Sequence, residues 1–222
     1  MRHAEVSVPK PLVEVGGRPI LWHVMAIYAA QGFTRFVLLT GHGSDEVERF
    51  AAGLDTGWDV TCLQTGLETP TGGRVHRAAS LLGEGTFCLT YADGVADIDL
   101  AGLMARHHDH GRAATMTVVR PNTQWGVANL EDDDRITGFT EKPKLESWIN
   151  GGFFVMEPAA LERIGADDIL EQAPLGALAD RGDLFAYRHD GFWACMDTYK
   201  DTLVLNELWD GGNAPWSGLV KA

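Results

Sequence analysis

Short apolar runs alternating with segments of helical periodicity constrain this chain more than any other feature. Ile20 to Gln31 carries apolar residues at helical spacing, and Gly32 follows as a stop signal. Phe36 to Thr40 is a continuous apolar run, the pattern of a strand buried on both faces. A polar helix from Asp45 to about Ala52 and a strand from Trp58 to Gln64 come next. They are followed by a helix from about Gly73 to Leu82, a buried strand from Thr86 to Tyr91, a helix from Leu100 to His110 and a strand from Ala114 to Arg120. Such alternation predicts an α/β fold with right-handed crossovers and a mostly parallel sheet flanked by helices. A βαβ architecture also requires a strand before the helix at 20–31. Only Met1 to Val8 stands there, polar, short and followed by Pro9 and Pro11, so the first strand is expected to be missing.

Beyond residue 125 the texture changes. Gly126 to Leu130, the acidic turn Glu131 to Asp134, and Arg135 to Phe139 read as a β-hairpin extension. A strand over 150–156, helices near 158–164 and 172–181, a strand at 184–188 and a helix from about 198 to 210 complete the pattern. With 222 residues and no linker-like segment, one domain is expected over 1–222, its second half packed on the first sheet. The formal charge of −13 argues against a nucleic-acid or anionic-membrane partner, where a basic face supplies most of the affinity. It leaves room for a small phosphate ligand. Cys62, Cys88 and Cys195 sit in apolar runs without a CxxC and read as small core residues in a reducing compartment. No stretch approaches a membrane span and no signal peptide is visible, so a cytoplasmic location is expected.

Several short segments are suited to chemistry. Pro9-Lys10-Pro11 holds a lysine on stiff extended backbone, which suits a fixed charge for phosphate or an ordinary surface turn. Thr69-Pro-Thr-Gly-Gly-Arg74 precedes a helix, where glycines permit close approach to a ligand, or where Thr71 caps the helix. Asp93 follows a buried strand, at the sheet end where α/β ligands gather, and carboxylates are hard ligands for Mg²⁺. Asp97 and Asp99 fit better as caps of the next helix. Asp197 is a second carboxylate for a metal or the N-cap of the last helix. His107-His108-Asp109-His110 lies in the last turn of a helix, where histidines meet the helix dipole, and no further cluster supports zinc. Nucleophilic hydrolysis has no support, since GxSxG is absent.

Together these pieces resemble the sugar-1-phosphate nucleotidyltransferases, with their Rossmann-like fold, and within them the cytidylyltransferase branch. The matching stretches are Pro9 to His23, Thr71 to Arg74, Tyr91 to Asp97, Glu141-Lys-Pro143, Ile149 to Phe154, His189 to Trp193, Met196-Asp-Thr198 and Ala214-Pro-Trp216. The resemblance divides the chain into a nucleotide-binding half, 1–120, and a sugar-phosphate-binding half, 121–222. It implies that glucose 1-phosphate attacks the α-phosphorus of CTP, giving CDP-glucose and pyrophosphate without a covalent intermediate. Asp93 and Asp197 would hold Mg²⁺, with Lys10 offsetting phosphate charge. Thr69, Gly73, Arg74 and Ala92 would meet the nucleotide. Lys142 and Glu141, with Asn150 and Gly151, would meet the sugar phosphate. The resemblance also implies a homo-oligomer. The family opens with a strand and a glycine-rich loop that binds triphosphate, where this sequence has only its first residues. The segment between Asp59 and Thr71 is also shorter than the branch usually carries. A sugar-phosphate- or nucleotide-binding homologue without turnover, and a thymidylyl- or uridylyltransferase, are the alternatives.

Overall fold

A computed structural model describes residues 8–220 of the chain. It opens with a 3₁₀ turn at Lys10–Leu12 and the short strands β1 (Glu14–Val15) and β2 (Arg18–Pro19). Next are α1 (Ile20–Ala29), β3 (Arg35–Thr40), α2 (Ser44–Ala52), β4 (Asp59–Gln64), α3 (Thr71–Leu82) and β5 (Phe87–Thr90). They lead to β6 (Gly94–Ala96), α4 (Leu100–His110), β7 (Ala114–Val119), and the hairpin β8 (Val127–Leu130) and β9 (Ile136–Thr140). β10 (Ile149–Met156), α5 (Pro158–Leu161), α6 (Ala173–Asp180), β11 (Leu184–Arg188), β12 (Trp193–Cys195), α7 (Tyr199–Asp210) and α8 (Ser217–Val220) complete the order. The expected alternation is present, with small shifts at element ends. Met1–Ser7, most of the segment too polar for an opening strand, lies outside the described residues.

The main sheet has the order β11-β7-β10-β5, so strands from both halves of the chain share it. β11 is parallel to β7, but β10 is antiparallel to both β7 and β5. The sheet is therefore mixed rather than mostly parallel. The cause is the β8–β9 hairpin: the chain leaves β7 at Val119 and re-enters the sheet with Ile149 opposite that same residue. β3 and β4 form a separate parallel pair, and β6 pairs antiparallel with β12.

Apolar clusters lie on both faces. One packs Ile20, Val24 and Ile27 of α1 and Leu103 of α4 against Phe153 and Val155. The other packs Val75 of α3 and Leu178 of α6 against Phe154 and Met156. Alternate residues of β10 thus feed opposite cores, as the period of a strand requires. Trp216 closes the first cluster, fully buried and stacked on Phe192 and Trp209, with its indole N–H 3.3 Å from His23 Nδ1. Among the described residues, no helix is long and apolar enough to cross a membrane.

The caps divide as chemistry dictates. Asp99 caps α4 by accepting from Gly102 N at 2.9 Å, whereas Asp97 lies 3.1 Å from His189 Nε2 instead. Thr198, not Asp197, caps α7 in a reciprocal box with Asp201, which leaves Asp197 available. His107 is buried between Thr115 Oγ1 at 2.8 Å and Glu157 Oε1 at 3.1 Å, an internal polar contact at a helix end. Replacing Trp216 by alanine is expected to cost about 3–5 kcal/mol of stability, read from the denaturant midpoint.

Candidate active site

Lys10 sits at the first residue of the 3₁₀ turn, closed by Leu12 N donating to Pro9 O at 2.8 Å. Its ammonium donates to Asp93 Oδ2 at 2.6 Å and to Asp197 Oδ1 at 2.7 Å. Asp93 follows β5, and Asp197 stands two residues beyond β12. The β6–β12 pairing sets Gly94 opposite Cys195, and Met196 N donates to Asp93 O at 2.9 Å. Two carboxylates from distant parts of the sequence are thereby fixed side by side, and Lys10 bridges them.

Partial burial works against the lysine charge, but hydrogen bonds to Asp197 and Asp93 outweigh it and hold the ammonium above its usual pKa. The hydrogen bond from Lys10 holds the Asp197 carboxyl below its usual value. Burial, followed by the charges of Asp93 and Asp197, pushes the Cys195 thiol up to about 12, so it stays protonated at neutral pH. Ligand atoms of Asp93, Cys195 and Asp197 all lie within 4.8 Å of one another. The two hard carboxylates fit a Mg²⁺ ion, whereas the protonated soft thiol does not. An ion at these carboxylates and the ammonium of Lys10 would share the same two side chains.

A cavity of about 220 Å³ opens on this cluster, lined by Asp93 and Asp197 together with Asn150, Gly151, Tyr91 and Trp193. A bulge in β10 shapes its wall, with Gly152 at φ +80°, where a Cβ would come 2.7 Å from the Tyr91 ring. The bulge lets Asn150 Oδ1 accept from Gly152 N at 2.8 Å while its Nδ2 donates to Tyr91 Oη at 3.0 Å. Trp193 Nε1 donates to Gly151 O at 2.7 Å. Tyr91 in turn donates to Glu171 Oε1 at 2.5 Å, and Thr71 Oγ1 donates to Glu171 Oε2 at 2.7 Å. Burial and the Glu171 carboxylate raise the Tyr91 phenol above its usual pKa, so it remains a donor. Tyr91 and Trp193 lay within the matching stretches but were assigned no role, and Glu171 was not singled out from the sequence.

The other expected residues make these contacts within the chain. Arg74 Nη1 donates to Thr40 O at 2.9 Å and Thr65 Oγ1 at 2.6 Å, and Nη2 to Leu67 O at 3.3 Å. Its guanidinium ties the ends of β3 and β4 together. Thr69 Oγ1 donates to Thr65 O. Gly73 lets the 165–171 loop approach, since a Cβ there would lie 2.1 Å from Ala166 O. Thr71 does not cap α3; its hydroxyl holds that same loop by accepting from Leu170 N at 2.9 Å. Ala92 packs against the cluster of Leu21, Met25 and Val47. Lys142 Nζ lies 3.9 Å from Glu141 Oε1 beyond the hairpin strand β9, so these two pair with each other.

The chain as a whole has counterparts among known proteins. Residues 6–179 match the family model for nucleotidyl transferases, and the chain belongs to that family. It is 38% identical over 240 residues to the Bacillus subtilis (strain 168) protein named "Probable glucose-1-phosphate cytidylyltransferase", covering 97% of this chain and 94% of that protein. It is 36% identical to the glucose-1-phosphate cytidylyltransferase of Salmonella typhi, covering 94% of this chain and 90% of the relative. Among solved structures, HddC from Yersinia pseudotuberculosis shares the fold at a TM-score of 0.72 and 18% identity, covering 91% of this chain and 90% of that chain.

Exposed ion pairs contribute little stability, about 0–1 kcal/mol. Lys10→Met is therefore expected to leave the chain folded, with a loss inside that range by denaturant titration. The Asp197 contribution is present above its unfolded pKa near 3.8 and is lost as pH falls through the lower folded value. Asp197→Asn should flatten the stability profile in that acid window and lower stability near neutrality by a pH-independent amount within that range.

Proposed function

We propose that this chain joins CTP to glucose 1-phosphate, forming CDP-glucose and pyrophosphate. The observation that carries the reading is Lys10 held 2.6 and 2.7 Å from Asp93 and Asp197 at a cavity also lined by Asn150 and Gly151. The names of the Bacillus and Salmonella relatives support the choice of base and sugar.

In this reading a phosphate oxygen of glucose 1-phosphate attacks the α-phosphorus, and the bond from that phosphorus to the departing pyrophosphate breaks. Little covalent work falls to the protein; positioning and charge compensation dominate. Lys10 offsets negative charge on the triphosphate as it moves to the leaving group. Its two aspartate partners keep the ammonium charged and restrict where it points. Asp93 and Asp197 would also hold Mg²⁺, which when bound neutralises phosphate oxygens and orients the reactants. Asn150, its amide fixed on Tyr91 and Gly152, lies where sugar hydroxyls would be read. Lys142 supplies a cation from the hairpin side for the sugar phosphate.

Pyrophosphate release is the direct test, with glucose 1-phosphate, Mg²⁺ and each nucleoside triphosphate in turn. Release with CTP above the other nucleotides is expected. Folded protein that releases none with any of them would overturn the reading. Asp93→Asn and Lys10→Met are each expected to lower kcat/KM by about 10²–10³, the usual loss when one preorganised charge is removed. Rates matching the unmodified chain would remove these residues from the mechanism.

A further inference from the structure

Glu171 stands outside the lining of the cavity at the Lys10 cluster, yet hydrogen bonds connect its carboxylate to that lining. Its place is fixed from the backbone first. Leu170 beside it is buried with Val75 of α3 and Leu178 of α6 in one apolar cluster, and Leu170 N donates to Thr71 Oγ1 at 2.9 Å. Gly73 N donates to Asp168 O at 3.1 Å, and Gly165 N donates to Asp168 Oδ2 at 2.7 Å. The 165–171 loop is thus anchored without the Glu171 side chain. The bond from Tyr91 Oη to Glu171 Oε1, at 2.5 Å, is additional to that anchoring.

Donor and acceptor chemistry gives this bond a direction. A carboxylate only accepts, so the Tyr91 hydroxyl commits its one hydrogen to Glu171. Lone pairs of Tyr91 Oη are left for Asn150, which turns its amide NH₂ toward them at 3.0 Å. At the other end the Gly152 N–H only donates, and its hydrogen goes to Asn150 Oδ1 at 2.8 Å. An acceptor at one end and a donor at the other permit a single orientation of the amide. With Glu171 removed, Tyr91 is free to donate toward Asn150, and the reversed amide competes.

Asn150 lines the cavity beside Gly151 and Trp193. Among the described residues its amide bonds Tyr91 and Gly152, which leaves one of its two N–H groups open. An N–H held on a partly buried polar wall is matched by an oxygen acceptor, and on a hexose those acceptors are hydroxyls. A site built to bond a hydroxyl rejects the analogue lacking it more strongly than an apolar pocket does. That rejection requires the donor to be held in one place by the groups behind it.

Resting on the reading of this cavity as a sugar 1-phosphate site, we propose that Glu171 is a positioning residue for hydroxyl selectivity. Acting through Tyr91, it holds the Asn150 amide so that one N–H is presented to a single ring hydroxyl of the sugar. Glu171 does not touch the sugar; Asn150 meets it. Thr71, which donates to the second oxygen of Glu171 at 2.7 Å, keeps the carboxylate turned toward Tyr91.

The full chain is titrated by calorimetry with glucose 1-phosphate and with its 2-, 3- and 4-deoxy counterparts, α,β-methylene-CTP being present throughout. Turnover of the same sugars with CTP is read as kcat/KM. In the unmodified chain one deoxy sugar is expected to bind roughly tenfold more weakly or worse, because the Asn150 N–H is left unpaired. Tyr91→Phe and Glu171→Leu should each bring that ratio close to one, weakening glucose 1-phosphate roughly tenfold and the discriminated deoxy sugar by less than about twofold. The double variant should do no more than Tyr91→Phe alone, since both act along one path. A merely structural role for Glu171 would weaken all these sugars alike. That result overturns the proposal, as does an unchanged ratio in either variant, multiplied effects in the double variant, or no discrimination by the unmodified chain. Folded protein that binds no sugar phosphate overturns the reading of the cavity and this inference together. Binding with the ratio kept in the variants overturns this inference alone.

Discussion

The ammonium of Lys10 between Asp93 and Asp197 is the contact on which the rest of the site depends. Two carboxylates this close repel each other unless a cation stands between them. Residues around Pro9, the end of β5 and the end of β12 are held together at this point, and each is fixed by backbone as well as by charge. The prolines flanking Lys10 stiffen its segment, and the β6–β12 ladder aligns the two aspartates. The side chains stay partly exposed, at 42%, 23% and 64%, so the cluster is open to a ligand and screened by water. It is an electrostatic site more than a structural clamp.

Around it, polar contacts connect the two halves of the chain. Glu171 accepts from both Thr71 at the start of α3 and Tyr91 after β5, while Tyr91 accepts from Asn150 on the β10 bulge. This chain of hydrogen bonds fixes the cavity wall from the α3 side to the β10 bulge. The packing of Gly72 and Gly73 against the 165–171 loop serves the same end, because a side chain at either would push the loop and its Glu171 away. On the opposite side Arg74 is held by the backbone carbonyls of Thr40 and Leu67.

Much of this was legible from residue order. Apolar runs marked β3, β5, β7 and β10, and helical spacing marked α1 and α4, because those signals are local. Lys10, Asp93 and Asp197 stood out through stiff backbone or position at strand ends, and Asn150 through the glycine pair beside it. The β6–β12 pairing was not visible, since three-residue strands far apart in sequence carry no periodic signal. The antiparallel placement of β10 was equally hidden, because direction is set by where the hairpin returns the chain. Arg74 and Gly73 looked like nucleotide contacts by type. Within the chain Arg74 is bound to backbone carbonyls and Gly73 makes room for a loop, contacts that only long-range packing decides.

The central claim is that Lys10 occupies the charge-binding position of the two aspartates, so that a cation and the ammonium share the same carboxylates. Calorimetric titration of Mg²⁺ into the unmodified chain and into Lys10→Met tests it most directly. Tighter Mg²⁺ binding by Lys10→Met, abolished when Asp93→Asn is added, is the expected result. Equal Mg²⁺ affinity with and without the lysine would contradict it.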